Sequence, residues 1–283
     1  MTIRSITVLG AGTMGHGIAQ VAATSGFDTT LYDVASEPLE RGVANIGKNL
    51  DKGVAKGKVS KAEADAARGH LRSTTALADA VGTADLVIES APEKLELKKS
   101  IFAEVSQLVP SSALLATNTS ALSVTEIAAA ADCPERVVGM HFFNPPYILK
   151  LLELVRAEQT SDETLAAAKQ VGAALGRELI VVNDSPGFAT SRLGLVLGLE
   201  AARMVQEGVA SPQDIDRAME LGYRHPMGPL KLGDLVGLDV RLAIADYLYK
   251  ELGGDQFRAP PLLRRMVRAG KLGKKSGQGF YEW

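Results

Sequence analysis

An α/β domain with a mostly parallel sheet, followed by an all-α domain, is the fold this sequence predicts, and three observations carry the prediction. Short apolar runs alternate with helical patterns from Ile3 to Val182, the order expected of parallel strands with helices on both faces. Gly10-Ala11-Gly12-Thr13-Met14-Gly15 joins the first run to the first helical pattern. Beyond Asn183-Asp184-Ser185-Pro186-Gly187 only helical periodicity remains, with no convincing strand. A chain of 283 residues, 46% hydrophobic, can fill two cores. The boundary is placed near Asn183, giving residues 1–183 and 184–283.

Each element follows from local pattern. Ile3 to Leu9 reads as a strand, Thr13 to Thr24 as a small-residue helix, and Phe27 to Tyr32 as a second strand. Glu37 to Lys56 is helical, with Lys48, Lys52 and Lys56 every four residues on one face. A polar helix follows Ser60, an N-cap with Glu63 three residues on. Asp85 to Glu89 is a buried-type strand, Glu93 to Leu108 a helix and Ala113 to Ala116 a strand. Val137 to Met140, Leu151 to Val155 and Leu179 to Val182 complete the strands, with a helix from Asp162 to Leu175. Phe188 to Gln206, Pro212 to Leu221 and Val240 to Leu252 are the later helices, and Pro226 to Pro229 and Pro260-Pro261 read as loops.

Composition excludes several classes of partner. A formal net charge of -2 provides no global field to hold nucleic acid or an anionic membrane. Cys133 is the single cysteine, which fits a reducing cytoplasm and a small apolar filler. Met1-Thr2-Ile3-Arg4 enters a strand at once, so no signal peptide is expected, and Leu193 to Ala202 is too short to span a bilayer. The expectation is a cytoplasmic protein that binds neither nucleic acid nor membrane.

The glycine turn has the spacing and context of a dinucleotide-binding fingerprint. Gly10 allows the tight turn, Gly12 lets a pyrophosphate approach the backbone, and Gly15 lets helix and strand pack closely. Thr13 and Met14 open the helix whose first amides face the phosphates. Asp33, about 20 residues on at the end of the second strand, can accept the ribose hydroxyls and repels a 2′-phosphate. A Rossmann-type domain binding NAD rather than NADP is therefore expected.

His141 follows the strand Val137 to Met140, and Glu153 stands between Leu152 and Leu154 in the next. Period-two alternation puts Glu153 on the face opposite those leucines. A carboxylate among apolar residues needs a partner, and a histidine can supply it. The pair would suit proton removal from an alcohol; a structural histidine is the alternative left open by spacing alone.

Six segments together resemble one family. Gly10 to Gly15, Ala116-Thr117-Asn118-Thr119-Ser120, His141-Phe142-Phe143-Asn144-Pro145, Asp184-Ser185-Pro186-Gly187-Phe188, His225-Pro226-Met227-Gly228-Pro229-Leu230 and Gly273 to Tyr281 are similar to motifs of the L-3-hydroxyacyl-CoA dehydrogenases. Within that family the likeness is to the short single-function 3-hydroxybutyryl-CoA dehydrogenases of fatty acid metabolism. The resemblance implies His141 as general base, Glu153 as its partner, and Ser120 on the substrate's 3-oxygen beside the nicotinamide ribose. It implies cofactor contacts from Glu93, Lys98, Asn144 and Lys275, with no metal. The helical domain would close over the cofactor and form a homodimer; the apolar helix Leu193 to Val205 suits an interface or simple interior packing. Lys52 and Lys56 would meet the phosphates of an acyl-CoA, against the plainer reading of a solvated face.

Two departures bear on substrate. Ser191 stands where the family usually has asparagine, offering one hydroxyl instead of an amide, and Asn144-Pro145-Pro146-Tyr147 replaces the usual NPVP. The same hydride chemistry on an acyl-carrier-protein-bound or free hydroxy acid is the alternative enzyme. A protein that keeps NAD without turnover is the non-enzyme alternative, opposed by Ser120, His141 and Glu153.

Overall fold

A computed structural model describes residues 3–283; Met1 and Thr2, where the N-terminal reading begins, lie outside the described residues. Two compact units divide the chain, residues 1–184 and 185–283. The first is built on eight strands: β1 Ser5–Leu9, β2 Asp28–Tyr32, β3 Leu71–Thr74, β4 Leu86–Glu89, β5 Leu114–Thr117, β6 Val137–Phe142, β7 Leu151–Arg156 and β8 Glu178–Asn183. They form one sheet in the order β3-β2-β1-β4-β5-β6-β7-β8. Pairing is parallel except between β6 and β7, so the expected mostly parallel sheet is observed.

Helices α1 Thr13–Thr24, α2 Ser36–Ala55, α3 Lys61–His70, α4 Leu77–Val81, α5 Leu95–Leu108, α6 Val124–Ala128 and α7 Asp162–Ala174 complete this unit. α1 buries Gly15, Ala19, Ala22 and Ala23, small residues that let it lie close to the sheet, together with the larger Ile18. Leu39, Ile46 and Leu50 form the buried stripe of α2, opposite its lysines. α3 begins with a complete capping box: Ser60 Oγ accepts from Glu63 N at 3.1 Å, and Glu63 Oε2 accepts from Ser60 N at 2.7 Å. Sequence pattern missed β3, whose Leu-Arg-Ser-Thr has only one apolar residue; it is recruited as an edge strand by register with β2.

The strand order reverses between β1 and β4, which opens a crevice at their carboxyl ends. A polar clamp fixes the opposite ends of the same two strands. Asp85 Oδ2, just before β4, accepts from Arg4 N (2.8 Å), Ser5 N (2.9 Å) and Ser5 Oγ (3.0 Å). Burial alone would raise this carboxyl, but the three donors outweigh it and hold it below its usual range. A depressed folded-state value adds stability above the unfolded-state value, and that stability is lost as pH falls through the folded one. Asp85→Asn is therefore expected to lower Tm at neutral pH and to converge with the parent in acid. A Tm gap that stays constant from neutral to acid pH would contradict this.

The second unit is helical: α8 Thr190–Gln206, α9 Pro212–Gly222, α10 Pro229–Val236, α11 Leu238–Leu252 and α12 Pro261–Arg268. Pro229 and Pro261 were expected in loops; each instead opens a helix, since proline at the first turn lacks only an N–H that would have no intrahelical partner. Two buried aspartates organise this unit. Asp216 caps α10 from outside by accepting from Leu230 N and Lys231 N, both at 2.8 Å, and takes the Tyr281 hydroxyl at 2.7 Å. Asp234 accepts from Phe280 N, Tyr281 N and Trp283 Nε1 at 2.9–3.0 Å. A Cβ on Gly228 would lie 2.1 Å from Asp216, and one on Gly279 2.2 Å from Asp234. These glycines thus admit the carboxylates, a structural part of motifs that a sequence reader takes for function. Among the described residues, no helix is long and apolar enough to cross a membrane.

Candidate active site

The glycine turn sits at the crevice. Gly10, with φ +97°, has its amide on Tyr32 O at 2.8 Å, and a Cβ there would strike Ser90 O at 2.7 Å. A Cβ on Gly15 would fall 1.7 Å from Gly10 O, so only glycine lets α1 start so close to β1. At Gly12 a Cβ meets nothing within 4 Å: no protein group requires this glycine. Gly12 is also the N-cap of α1, with no side-chain cap and no acidic residue in the first turn. Amides of Thr13 and Met14 thus start a helix whose positive end is not neutralised by a local carboxylate. Asp33 Oδ2 accepts from Ala11 N at 2.8 Å and its Oδ1 from Ala35 N at 3.1 Å, which ties the acid to the turn while leaving further lone pairs on each oxygen. Open space over Gly12, an uncapped helix start and this acid fit a pyrophosphate and the ribose next to it.

His141 and Glu153 are direct register partners across the antiparallel β6–β7 pair. Nδ1 of His141 lies 2.9 Å from Glu153 Oε2, with both side chains buried. The histidine falls inside β6, which runs two residues beyond its expected end. Donation of Nδ1–H to the carboxylate would put the ring's lone pair on Nε2. The Phe143 ring lies 4.4 Å from the imidazole, centroid to centroid, tilted by 46°. Asn118, quoted in a motif but given no role by sequence, turns out to tie the ends of β5 and β6 together: its Oδ1 accepts from Phe142 N at 2.8 Å.

Ser120 belongs to a turn after β5, and its N–H donates to Glu93 Oε1 at 2.8 Å, as does the Thr119 hydroxyl at 2.6 Å. Lys98 is 1% exposed. Its ammonium lies 2.7 Å from Glu89 Oε1 and 3.4 Å from Glu93 Oε2. Glu89, equally buried, escaped sequence reasoning because an acid ending a strand carries no signal until its partner is known.

Asn144 is exposed and precedes a cis peptide to Pro145. Pro146 packs over α1, where a Cβ on Gly17 would lie 2.8 Å from its ring, and Arg177 Nη1 donates to the carbonyls of Pro146 (2.8 Å) and Leu149 (3.0 Å). Lys52 and Lys56 are exposed at the end of α2. In the second unit, half-buried Ser191 lies on the first turn of α8, and Lys275 Nζ is 2.7 Å from Asp239 Oδ2. Burial would raise the Asp239 carboxyl, but the hydrogen bonds from Lys275 and Val240 N outweigh it. Among the described residues no cluster of His, Cys, Asp and Glu is arranged to hold a metal ion.

Residues 5–185 match the family described as 3-hydroxyacyl-CoA dehydrogenase, NAD binding domain, and residues 187–283 match its C-terminal domain. A probable 3-hydroxybutyryl-CoA dehydrogenase of Deinococcus radiodurans is 45% identical, covering 98% of this chain and 99% of its own. Among solved structures, FadB2 of M. tuberculosis superposes with TM-score 0.97 at 42% identity, covering all of both chains. The (S)-3-hydroxybutyryl-CoA dehydrogenase of Ralstonia eutropha gives 0.95 at 40% identity over 100% of this chain and 99% of that one.

Proposed function

The chain belongs to the 3-hydroxyacyl-CoA dehydrogenase family, and from that premise we propose that it reversibly oxidises short-chain (S)-3-hydroxyacyl-CoA, 3-hydroxybutyryl-CoA above all, to 3-oxoacyl-CoA. The hydrogen-bonded His141–Glu153 pair is the observation that carries this reading. NAD, when bound, supplies the acceptor for the C3 hydride. His141 Nε2 takes the 3-hydroxyl proton, and Glu153 holds the ring in that tautomer and stabilises the imidazolium that results. Ser120 orients the 3-oxygen. The turn Gly10–Gly15 with Thr13 and Met14 holds the pyrophosphate, and Asp33 selects against a 2′-phosphate. Glu93, Asn144 and Lys275 complete the cofactor site in this reading, and Ser191 takes the place of the family asparagine near the substrate.

Oxidation needs the neutral imidazole to accept the proton and reduction the imidazolium to return it, so the two directions call for opposite protonation states of the same ring. Rates across a panel of 3-hydroxyacyl-CoA chain lengths and free hydroxy acids, with NAD and with NADP, test the assignment. Faster turnover of free acids than of the thioesters, or a preference for NADP, would overturn it.

Acyl-CoA carries phosphates, and Lys52 and Lys56 present two ammonium groups on the solvent side of the α2 end. The double variant Lys52→Ala/Lys56→Ala is expected to raise the KM for acetoacetyl-CoA roughly fivefold or more, at about 1 kcal/mol of lost charge pairing in all, with NADH affinity unchanged. Unchanged kinetics would remove both lysines from the site. Self-association through the second unit is part of the reading: α8 exposes Leu193 and Leu197, and α11 exposes Val240. The lone, buried Cys133, its thiol pushed up by burial, supports a reducing cytoplasmic setting.

A further inference from the structure

We propose that the Glu89–Lys98–Glu93 array, in which the first two are buried, is a positioning device that sets Ser120, with Glu89 as its anchor and Lys98 acting through Glu93. The proposal rests on the reading of Ser120 as the group that orients the substrate's 3-oxygen.

Lys98 and Glu89 are each 1% exposed. Burying such a pair is weak evidence for stability, because desolvation offsets most of the Coulomb gain; its geometry is the more informative feature. Lys98 Nζ donates to Glu89 Oε1 (2.7 Å) and Ala91 O (3.3 Å), and it forms an ion pair with Glu93 Oε2 at 3.4 Å. The second oxygen of Glu89 accepts the Thr117 hydroxyl at 2.7 Å, and Ala91 N donates to the first at 2.6 Å. The second oxygen of Glu93 takes both Thr119 Oγ1 and Ser120 N. One carboxylate therefore grips the start of the 117–120 turn and the other its end. A single ammonium fixes the separation between them.

This arrangement gives Lys98 a task different from direct contact with the cofactor. Its ammonium is held by the buried Glu89 carboxylate, and giving up that contact for a ligand would leave a buried charge unpaired. Glu93, whose side chain is 41% exposed, is the member that faces outward. It connects the buried pair to the turn that presents the serine.

A double-mutant cycle separates positioning from general structural damage. Glu89→Gln is expected to lower the rate of the oxidation step with 3-hydroxybutyryl-CoA about tenfold in the parent, and less than about twofold in the Ser120→Ala background. Equal losses in both backgrounds would overturn the array's action through Ser120 while leaving the serine's own role standing. No effect of Ser120→Ala alone would overturn both. A loss confined to NADH affinity, read by fluorescence titration, would overturn the proposal in favour of direct cofactor contact. Should Glu89→Gln lose its folded state in a Tm measurement, Glu93→Asp carries the same cycle, read only on the rate of the oxidation step at saturating NAD in the two Ser120 backgrounds. That variant keeps the Glu89–Lys98 pair and draws the carboxylate back from Ser120.

Discussion

Exchanging His141 for glutamine is expected to lower kcat for 3-hydroxybutyryl-CoA oxidation by roughly a thousandfold, about 4 kcal/mol of barrier, since a positioned general base contributes on the order of 10²–10⁴. Glutamine keeps a side chain that can hydrogen-bond Glu153 but has no lone-pair nitrogen to accept the proton. NADH binding is expected to persist, because the glycine turn and Asp33 directly follow β1 and β2, which are separated from β6 in the sheet by β4 and β5. The measurement pairs single-turnover oxidation with a fluorescence titration of NADH. A variant that turns over like the parent would end the assignment of base, whatever its affinity for cofactor. Glu153→Gln is expected to lie between the two, because the ring then keeps a neighbour but loses the charge that stabilises imidazolium.

The second large effect separates two glycines of one motif. Gly15→Ala places a methyl 1.7 Å from Gly10 O, so α1 must move off β1. The expected outcome is a loss of roughly 3 kcal/mol or more of stability, at the upper end of overpacking, read as a fall in Tm without cofactor. Gly12→Ala behaves differently. Its backbone, φ -63° and ψ -168°, suits any residue, and its methyl would enter open space. The free protein is therefore expected to keep its Tm, while NADH affinity falls on the order of tenfold, about 1.4 kcal/mol. If Gly12→Ala binds NADH as tightly as the parent, the turn is not where the pyrophosphate lies. If it unfolds the protein, the space above Gly12 is not what the free structure indicates.

Legibility from sequence differed by element. Strands with β-branched or leucine runs and helices with a clear apolar stripe were readable, and the Ser60–Glu63 capping box was predicted residue by residue. What failed was short or polar: β3, α4 and α6 have four or five residues each, too few to establish a period. The proline errors had a different cause. Pro229 and Pro261 are breakers by propensity but helix starters at the first turn, and only the packing of the residues downstream of each decides between the two.

Within the site, local chemistry could be read and partnership could not. The spacing of Gly10, Gly12 and Gly15 and the later Asp33 encodes a binding turn because its constraints are backbone constraints, carried by residues a few positions apart. The sequence alone therefore determined a dinucleotide turn on an α/β sheet, a helical second half, and a histidine and an acid on neighbouring strands. Tertiary structure decided that β6 and β7 run antiparallel in the one register that sets His141 opposite Glu153. It also decided that Lys98 lies between two carboxylates instead of in solvent. The first outcome depends on long-range strand pairing, where a shift of one residue would send either side chain to the other face; the second depends on α5 bringing Lys98 to Glu89 at the end of β4. No local pattern specifies that register; it is settled by which faces of the whole sheet are buried.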